Sequence, residues 1–324
     1  MSDYLYAGAR IKALENNLLS ENQMDVLLSA KSYDEAIHNL HETFMGPYLA
    51  RNRDTSIPYM LEMVVSDTKK FLISIAPNPT LLNILWLKYD FYNLAAIVKG
   101  FKKGLEPNDI ESLCFRSGIY KPSDLIEAYR NKNLQKYDSR FKRSVDRAES
   151  VTEVSEVDRI MNIAYFEAIK EIAVGSKERF LNDYVELLID FFNIQANLRA
   201  LSHGSPGKAP RPIYVQGGTI PKTYLGDKES LLNAVSRLGQ AKLWEEAVKE
   251  YRDTGSYAEI ETAFDNHIES FVREKGNETF SIASLYSYFQ AIKNNVQIVR
   301  TILVGKHSEL PEHELRKTVR NRYG

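Results

Sequence analysis

The chain has 324 residues, 44% apolar and 26% charged, enough to bury a large core and to make two or three domains. Its formal net charge of −1 removes the electrostatic footprint of a general nucleic-acid binder. The single cysteine, Cys114, excludes a disulfide framework and a thiolate metal cluster and suits a reducing cytosol. Met1–Ala7 carries neither the basic nor the apolar region of a signal peptide.

Taken in chain order, the elements are helical almost throughout. Tyr4–Leu19 places Leu5, Ala9 and Leu14 at helical spacing. Pro47, Pro58 and the Pro77–Pro79 pair punctuate the next helices. Leu81–Val98 is apolar and long enough to cross a bilayer, but Lys88, Asp90 and Asn93 lie near its middle. Each such charge costs about 2.5–3.5 kcal/mol in a membrane, so a buried core helix is expected, and any membrane association is peripheral.

The charge-dense stretch from Lys132 to Glu156 suits a solvated helical surface. Val154–Val174 and Glu178–Leu201 predict a long antiparallel pair joined at Gly175-Ser176, with Ser176 capping the second helix. Residues 203–221, rich in proline and glycine, predict the longest loop, with Ile213–Val215 as a short strand-like run within it. Leu231–Tyr251, Tyr257–Glu274 and Ser281–Val304 predict three more helices. The fold class is therefore all-α.

One helical pattern occurs three times, as Trp86–Val98, Leu187–Leu198 and Ala291–Ile302. Each is an apolar helix with a polar notch. Asp90 and Asn93 match Asp190 and Asn193 at a separation of 100 residues. The third copy places Asn295 at the Asp position and Ile298 at the Asn position. Segments 117–125 and 217–225 correspond at the same separation, and short starters recur at Tyr33–Ile37, Asp124–Ala128 and Trp244–Val248. This period is too long for tetratricopeptide or HEAT repeats of roughly 34 to 47 residues. It predicts three tandem helical bundles over 1–116, 117–216 and 217–324.

Signatures of catalytic chemistry are largely absent. Gly204–Lys208 lacks the spacing and the Ser or Thr of a phosphate loop. His38 and His41, with Glu35 and Glu42, offer two imidazoles on a helix without the further strong ligand of zinc motifs; a surface helix is the preferred reading. No nucleophile motif accompanies His203, His267, His307 or His313, and Cys114 reads as a small apolar residue. No cofactor, metal or catalytic residue is assigned.

The notch remains. Asp90 and Asn93 share a helical face, as do Asp190 and Asn193, and a carboxylate among Trp, Leu and Phe must find donors. The preferred reading is a hydrogen-bond clasp between helices, needed once per bundle. The alternative is that these groups line a central cavity and touch a partner.

Together these features resemble the V-type ATPase C-subunit family of archaea and bacteria, related to the eukaryotic d subunit. The resemblance rests on Tyr4–Lys12 with Leu18–Ser20, on the Asp-x-x-Asn elements at Asp90–Asn93 and Asp190–Asn193, on the Gly217–Ile220 turn, and on Arg300–Lys306. Ala95, Gln195 and Asn295 depart from the family's usual basic or acidic residues. The resemblance implies a funnel of three pseudo-threefold helical repeats. It would be a non-catalytic socket on the cytoplasmic face, coupling the D and F axle subunits to the proteolipid ring of an H+ or Na+ motor. It also implies a clasp role for Asn295 and Arg300. Basic side chains that suit partner contacts are Lys208, Arg211, Arg316, Lys317, Arg320 and Arg322. A soluble helical scaffold or adaptor is the alternative.

Overall fold

A computed structural model of the chain describes residues 4–51, 56–203, 213–278 and 281–323. Among the described residues there are α-helices, short 3-10 turns and no strand. The chain divides into two compact units, one built from residues 1–79 with 240–324 and the other from 80–239.

The first unit opens with α1 (Tyr4–Glu15), α2 (Glu21–Ser29), α3 (Tyr33–Leu40), α4 (Gly46–Arg51) and α5 (Ile57–Ile75). Serine sets the starts of two of these. Ser20 and Gln23 form a reciprocal capping box on α2, and Ser32 accepts the Glu35 N–H at the start of α3. Pro58 sits in the first turn of α5, where a missing N–H costs nothing.

The second unit holds α6 (Asn83–Lys102), α7 (Pro107–Ser112), α8 (Pro122–Arg130), α9 (Ser139–Glu149), α10 (Val154–Ser176), α11 (Arg179–His203) and α12 (Lys228–Ala234). Helix α6 is apolar around most of its circumference because α7, α8, α9 and α10 all pack on it. Its buried side chains include Trp86, Leu87, Phe91, Leu94 and Val98. This explains its membrane-like composition; among the described residues no helix is long and apolar enough to cross a membrane. Helix α10 also packs on α9 and α11. The charged α9 turns Phe141, Val145 and Ala148 inward and leaves its other face polar.

The expected joint between α10 and α11 lies two residues later than predicted. Helix α10 runs through Gly175 and Ser176 and stops at Lys177, which adopts a left-handed conformation at φ 59°. Ser176 closes α10, and its hydroxyl still accepts the Glu178 N–H at 3.0 Å.

The first unit is completed by α13 (Ala241–Thr254), α14 (Ala258–Gly276), α15 (Ala283–His307) and α16 (Glu312–Tyr323). The single helix expected over 231–251 is broken. A 3-10 turn at Val235–Leu238 is followed by Gly239 at φ 82° and Gln240 at φ 51°, so α12 and α13 are separate elements. Within this unit α15 is the hub, with α1, α3, α5, α14 and α16 packed on it.

One polar pair is sealed inside this unit. The Trp244 indole N–H donates to His267 Nδ1 at 3.0 Å, and Phe264 packs edge-on against the same indole. His267 is only 5% exposed, and burial lowers its imidazole from 6.5 to about 4. A folded-state value below the unfolded one favours the neutral ring. The resulting stability is complete above about pH 6.5 and is lost as the pH falls towards 4. Urea titrations should therefore show about 2–3 kcal/mol lost between pH 7 and 4.5 through this group. His267→Gln, which keeps an acceptor for Trp244, should lose correspondingly less over that range.

Candidate functional site

The notch residues are buried on their helices, and their partners lie in loops. Asp90 and Asn93 on α6 are 0% and 1% exposed, and Asp190 and Asn193 on α11 are 1% and 0%. Each pair grips the backbone of the loop that leads into the next helical module. This corrects the expected helix-to-helix clasp: the donors are main-chain N–H groups left over where the loop runs without a ladder of its own.

The geometry recurs atom for atom. Asn93 Nδ2 donates to the Phe115 carbonyl at 2.8 Å while the Phe115 N–H donates to Asn93 Oδ1 at 2.7 Å. On α11, Asn193 makes the same reciprocal pair with Val215 at 2.9 and 2.8 Å. A primary amide presents an N–H donor and a carbonyl acceptor side by side in one plane, so it can stand in for a neighbouring strand. The carboxylates act next. Asp90 accepts the N–H groups of Ile119 at 2.8 Å and Tyr120 at 3.1 Å. Asp190 accepts those of Thr219 at 2.8 Å and Ile220 at 2.9 Å, and the Thr219 hydroxyl at 2.7 Å.

Two glycines make this approach feasible. A Cβ on Gly118 would collide with Asp90 Oδ1, and one on Gly218 would collide with Asp190 Oδ1. The preceding Gly217 has φ 123°, a conformation that side chains rarely adopt. Beside Asp90, the Tyr120 phenol is raised above its ordinary value by burial first, then by the Asp138 and Asp90 charges, and its hydroxyl donates to the Tyr137 carbonyl at 3.1 Å.

The strand-like run at Ile213–Val215 has a physical explanation here. It forms no strand, and the partners of its backbone are side chains. Asn197, one turn beyond Asn193, accepts the Ile213 N–H at 3.0 Å and donates to the Ile213 carbonyl at 2.6 Å. Sequence reasoning missed Asn197; its spacing of four from Asn193 on an apolar helix was the available signal.

In the third copy Asn295 Oδ1 accepts the Leu19 N–H at 2.9 Å, from a residue 276 positions away in the chain. Ile298, at the Asn position, is buried and apolar. Arg300 is exposed on α15 and contributes to none of these bonds. Lys208 and Arg211 lie outside the described residues, as does most of the 203–221 loop's first half. Arg316 is engaged within the chain, with Asp25 at 2.7 Å and Glu312 at 2.7 Å, while Lys317 is exposed and Arg320 and Arg322 fall within α16.

His38 and His41 are both exposed, and among the described residues no group of three or more His, Cys, Asp or Glu side chains is arranged to hold a metal ion. The half-buried Cys114 thiol is pushed up to about 11, first by burial and then by Glu111, which leaves little thiolate at neutral pH.

These features define an all-helical protein in which buried polar side chains on two of the helices, α6 and α11, grip the loops that follow. The chain belongs to the ATP synthase (C/AC39) subunit family, whose model matches residues 7–318. It is similar to the C subunit of the A-type ATP synthase of Thermococcus onnurineus, 24% identical over 92% of this chain and 85% of that protein. It is also similar to the C subunit of the V-type sodium ATPase of Enterococcus hirae, 23% identical over 99% of both chains. The C subunit of the V-type ATP synthase of Deinococcus radiodurans is 21% identical over 98% of this chain and 91% of that protein.

The donor count ranks the clasps. Asp190→Ala strands the backbone donors of Thr219 and the buried Ile220 and should cost about 2–5 kcal/mol, read by urea unfolding, whereas Asn295→Ala strands one and should cost about 1–2 kcal/mol. Gly218→Ala should cost about 1–3 kcal/mol or more, because the new methyl meets a fixed carboxylate.

Proposed function

We propose that this chain is a non-catalytic rotor subunit of a V-type ion-translocating ATPase, a socket that seats the D and F axle on the membrane proteolipid ring. The observation that carries this reading is the family match over residues 7–318, together with relatives named as C subunits of ATP synthases and of a sodium ATPase. Family membership also disfavours the alternative of an unrelated helical adaptor.

In this reading three helical repeats stand around a pseudo-threefold axis as a funnel on the cytoplasmic face of the membrane. The recurring clasp supports it physically. A part that transmits torque must resist shear between its modules, and a buried carboxylate held by two N–H groups fixes loop to helix more rigidly than apolar contact alone. Apolar packing is non-directional and lets helices slide; paired hydrogen bonds do not. Lys208, Arg211, Lys317, Arg320 and Arg322 are the basic side chains we assign to contacts with acidic partner loops or anionic headgroups. Arg316 contributes less there, since Asp25 and Glu312 already engage it.

The test is the assembled enzyme depleted of this chain. Its soluble head should still hydrolyse ATP while ATP-driven H+ or Na+ uptake into vesicles is lost, and adding the purified chain back should restore uptake. Undiminished ion uptake without the chain would sink the proposal.

A further inference from the structure

Helices α6 and α15 end alike, bond by bond, at a separation of 205 residues. The N–H groups of Lys103, Gly104 and Leu105 donate to the carbonyls of Lys99, Phe101 and Gly100 at 3.1, 3.0 and 3.0 Å. Those of Ser308, Glu309 and Leu310 donate to Val304, Lys306 and Gly305 at 2.9, 3.2 and 2.9 Å. The left-handed residue is Gly104 at φ 71° in one and Glu309 at φ 53° in the other. A Cβ on Gly100 would meet Ile110 at 2.6 Å, and one on Gly305 would meet Leu315 at 2.6 Å.

Beyond these ends the two copies diverge. After Ile110 the chain supplies the loop that brings Tyr120 to Asp90, then the nine-residue α8. After Leu315 it continues along α16. The N–H that meets Asn295 comes instead from Leu19, followed by the nine-residue α2. Leu19, Tyr120 and Ile220 each stand just before the residue that caps the next helical element, respectively Ser20, Lys121 and Pro221. Each donates its N–H to Oδ1 of the notch residue, at 2.9, 3.1 and 2.9 Å.

We infer that residues 19–40 are the detached limb of the third repeat, a strap from the other end of the sequence that closes onto α15 and α16 without a covalent link. Its joints are separable. Lys306 Nζ donates to the Leu28 and Ala30 carbonyls at 2.6 and 2.5 Å, satisfying the C-terminal end of α2. Arg316 reaches Asp25, and the Tyr33 ring stands edge-on to His307 at 5.5 Å. The strap's buried apolar anchors include Leu27, Leu28, Ala36 and Leu40.

The strap also accounts for Asn295 standing where the other copies have Asp. Two backbone N–H groups converge on Asp90 and on Asp190. The N–H of Leu18 is taken by the Glu15 carbonyl at 3.2 Å, so a single donor faces residue 295 and a neutral acceptor suffices. A short limb held by a few apolar anchors and polar joints can open without unfolding what lies beneath it.

Hydrogen exchange on the purified full-length chain tests this independently of any role in an ATPase. Asn295→Ala and Lys306→Met should each accelerate exchange in residues 20–40 about tenfold, with 80–239 and α14 unchanged. Arg316→Gln, a mild surface change that leaves the fold intact, should accelerate the same peptides by about twofold. Unchanged strap protection in all three variants overturns the inference. So does equal acceleration across residues 240–324, which would make the strap inseparable from the unit's core.

Discussion

A carboxylate buried on an apolar helix is tolerable only if something donates to it, and here the donors are the N–H groups of the following loop. That requirement organises the second unit. The loops at 115–120 and 213–220 have no helix or sheet to satisfy their backbone, and Asp90, Asn93, Asp190, Asn193 and Asn197 meet it. Each need answers the other. Removing the loop strands carboxylates and amides that are buried on their helices, and removing those side chains leaves the loop backbone without its partners, so the arrangement is cooperative.

The clasp constrains its neighbours as well. Gly118 and Gly218 must lack a Cβ so that backbone and carboxylate can meet. The apolar side chains flanking the notch, Phe91 and Leu94 on one helix and Phe191 and Ile194 on the other, exclude water and strengthen the bonds they surround. A module built this way holds its entry loop at a fixed register on its longest helix. Rigidity of that kind is useful to a protein whose proposed work is mechanical, and it needs no activated nucleophile or bound metal.

Much of this was legible in the residues because repetition amplifies a weak signal. A lone Asp in an apolar helix says little, but Asp-x-x-Asn twice at a separation of 100 marks a buried polar clasp, whose partner the sequence placed on a neighbouring helix and not in the glycine-containing turn that holds it. The helices over 83–102 and 283–307 were readable from their apolar periodicity. The break at 235–240 was not, because the pattern on both sides is helical and only the left-handed backbone at Gly239 and Gln240 interrupts it. Asn197 was hidden for a different reason: a third amide on one helix face has meaning only once the run it serves is seen lying alongside.

The amino-acid order alone determined that the chain is helical and that an Asp-x-x-Asn notch occurs twice at a separation of 100 residues, since both depend on periodicity and local chemistry. Tertiary structure decided which groups the notches hold. It also decided that the third notch is met by Leu19, from the opposite end of the sequence, because a hydrogen bond depends on proximity in space and a separation of 276 residues leaves no local pattern to read.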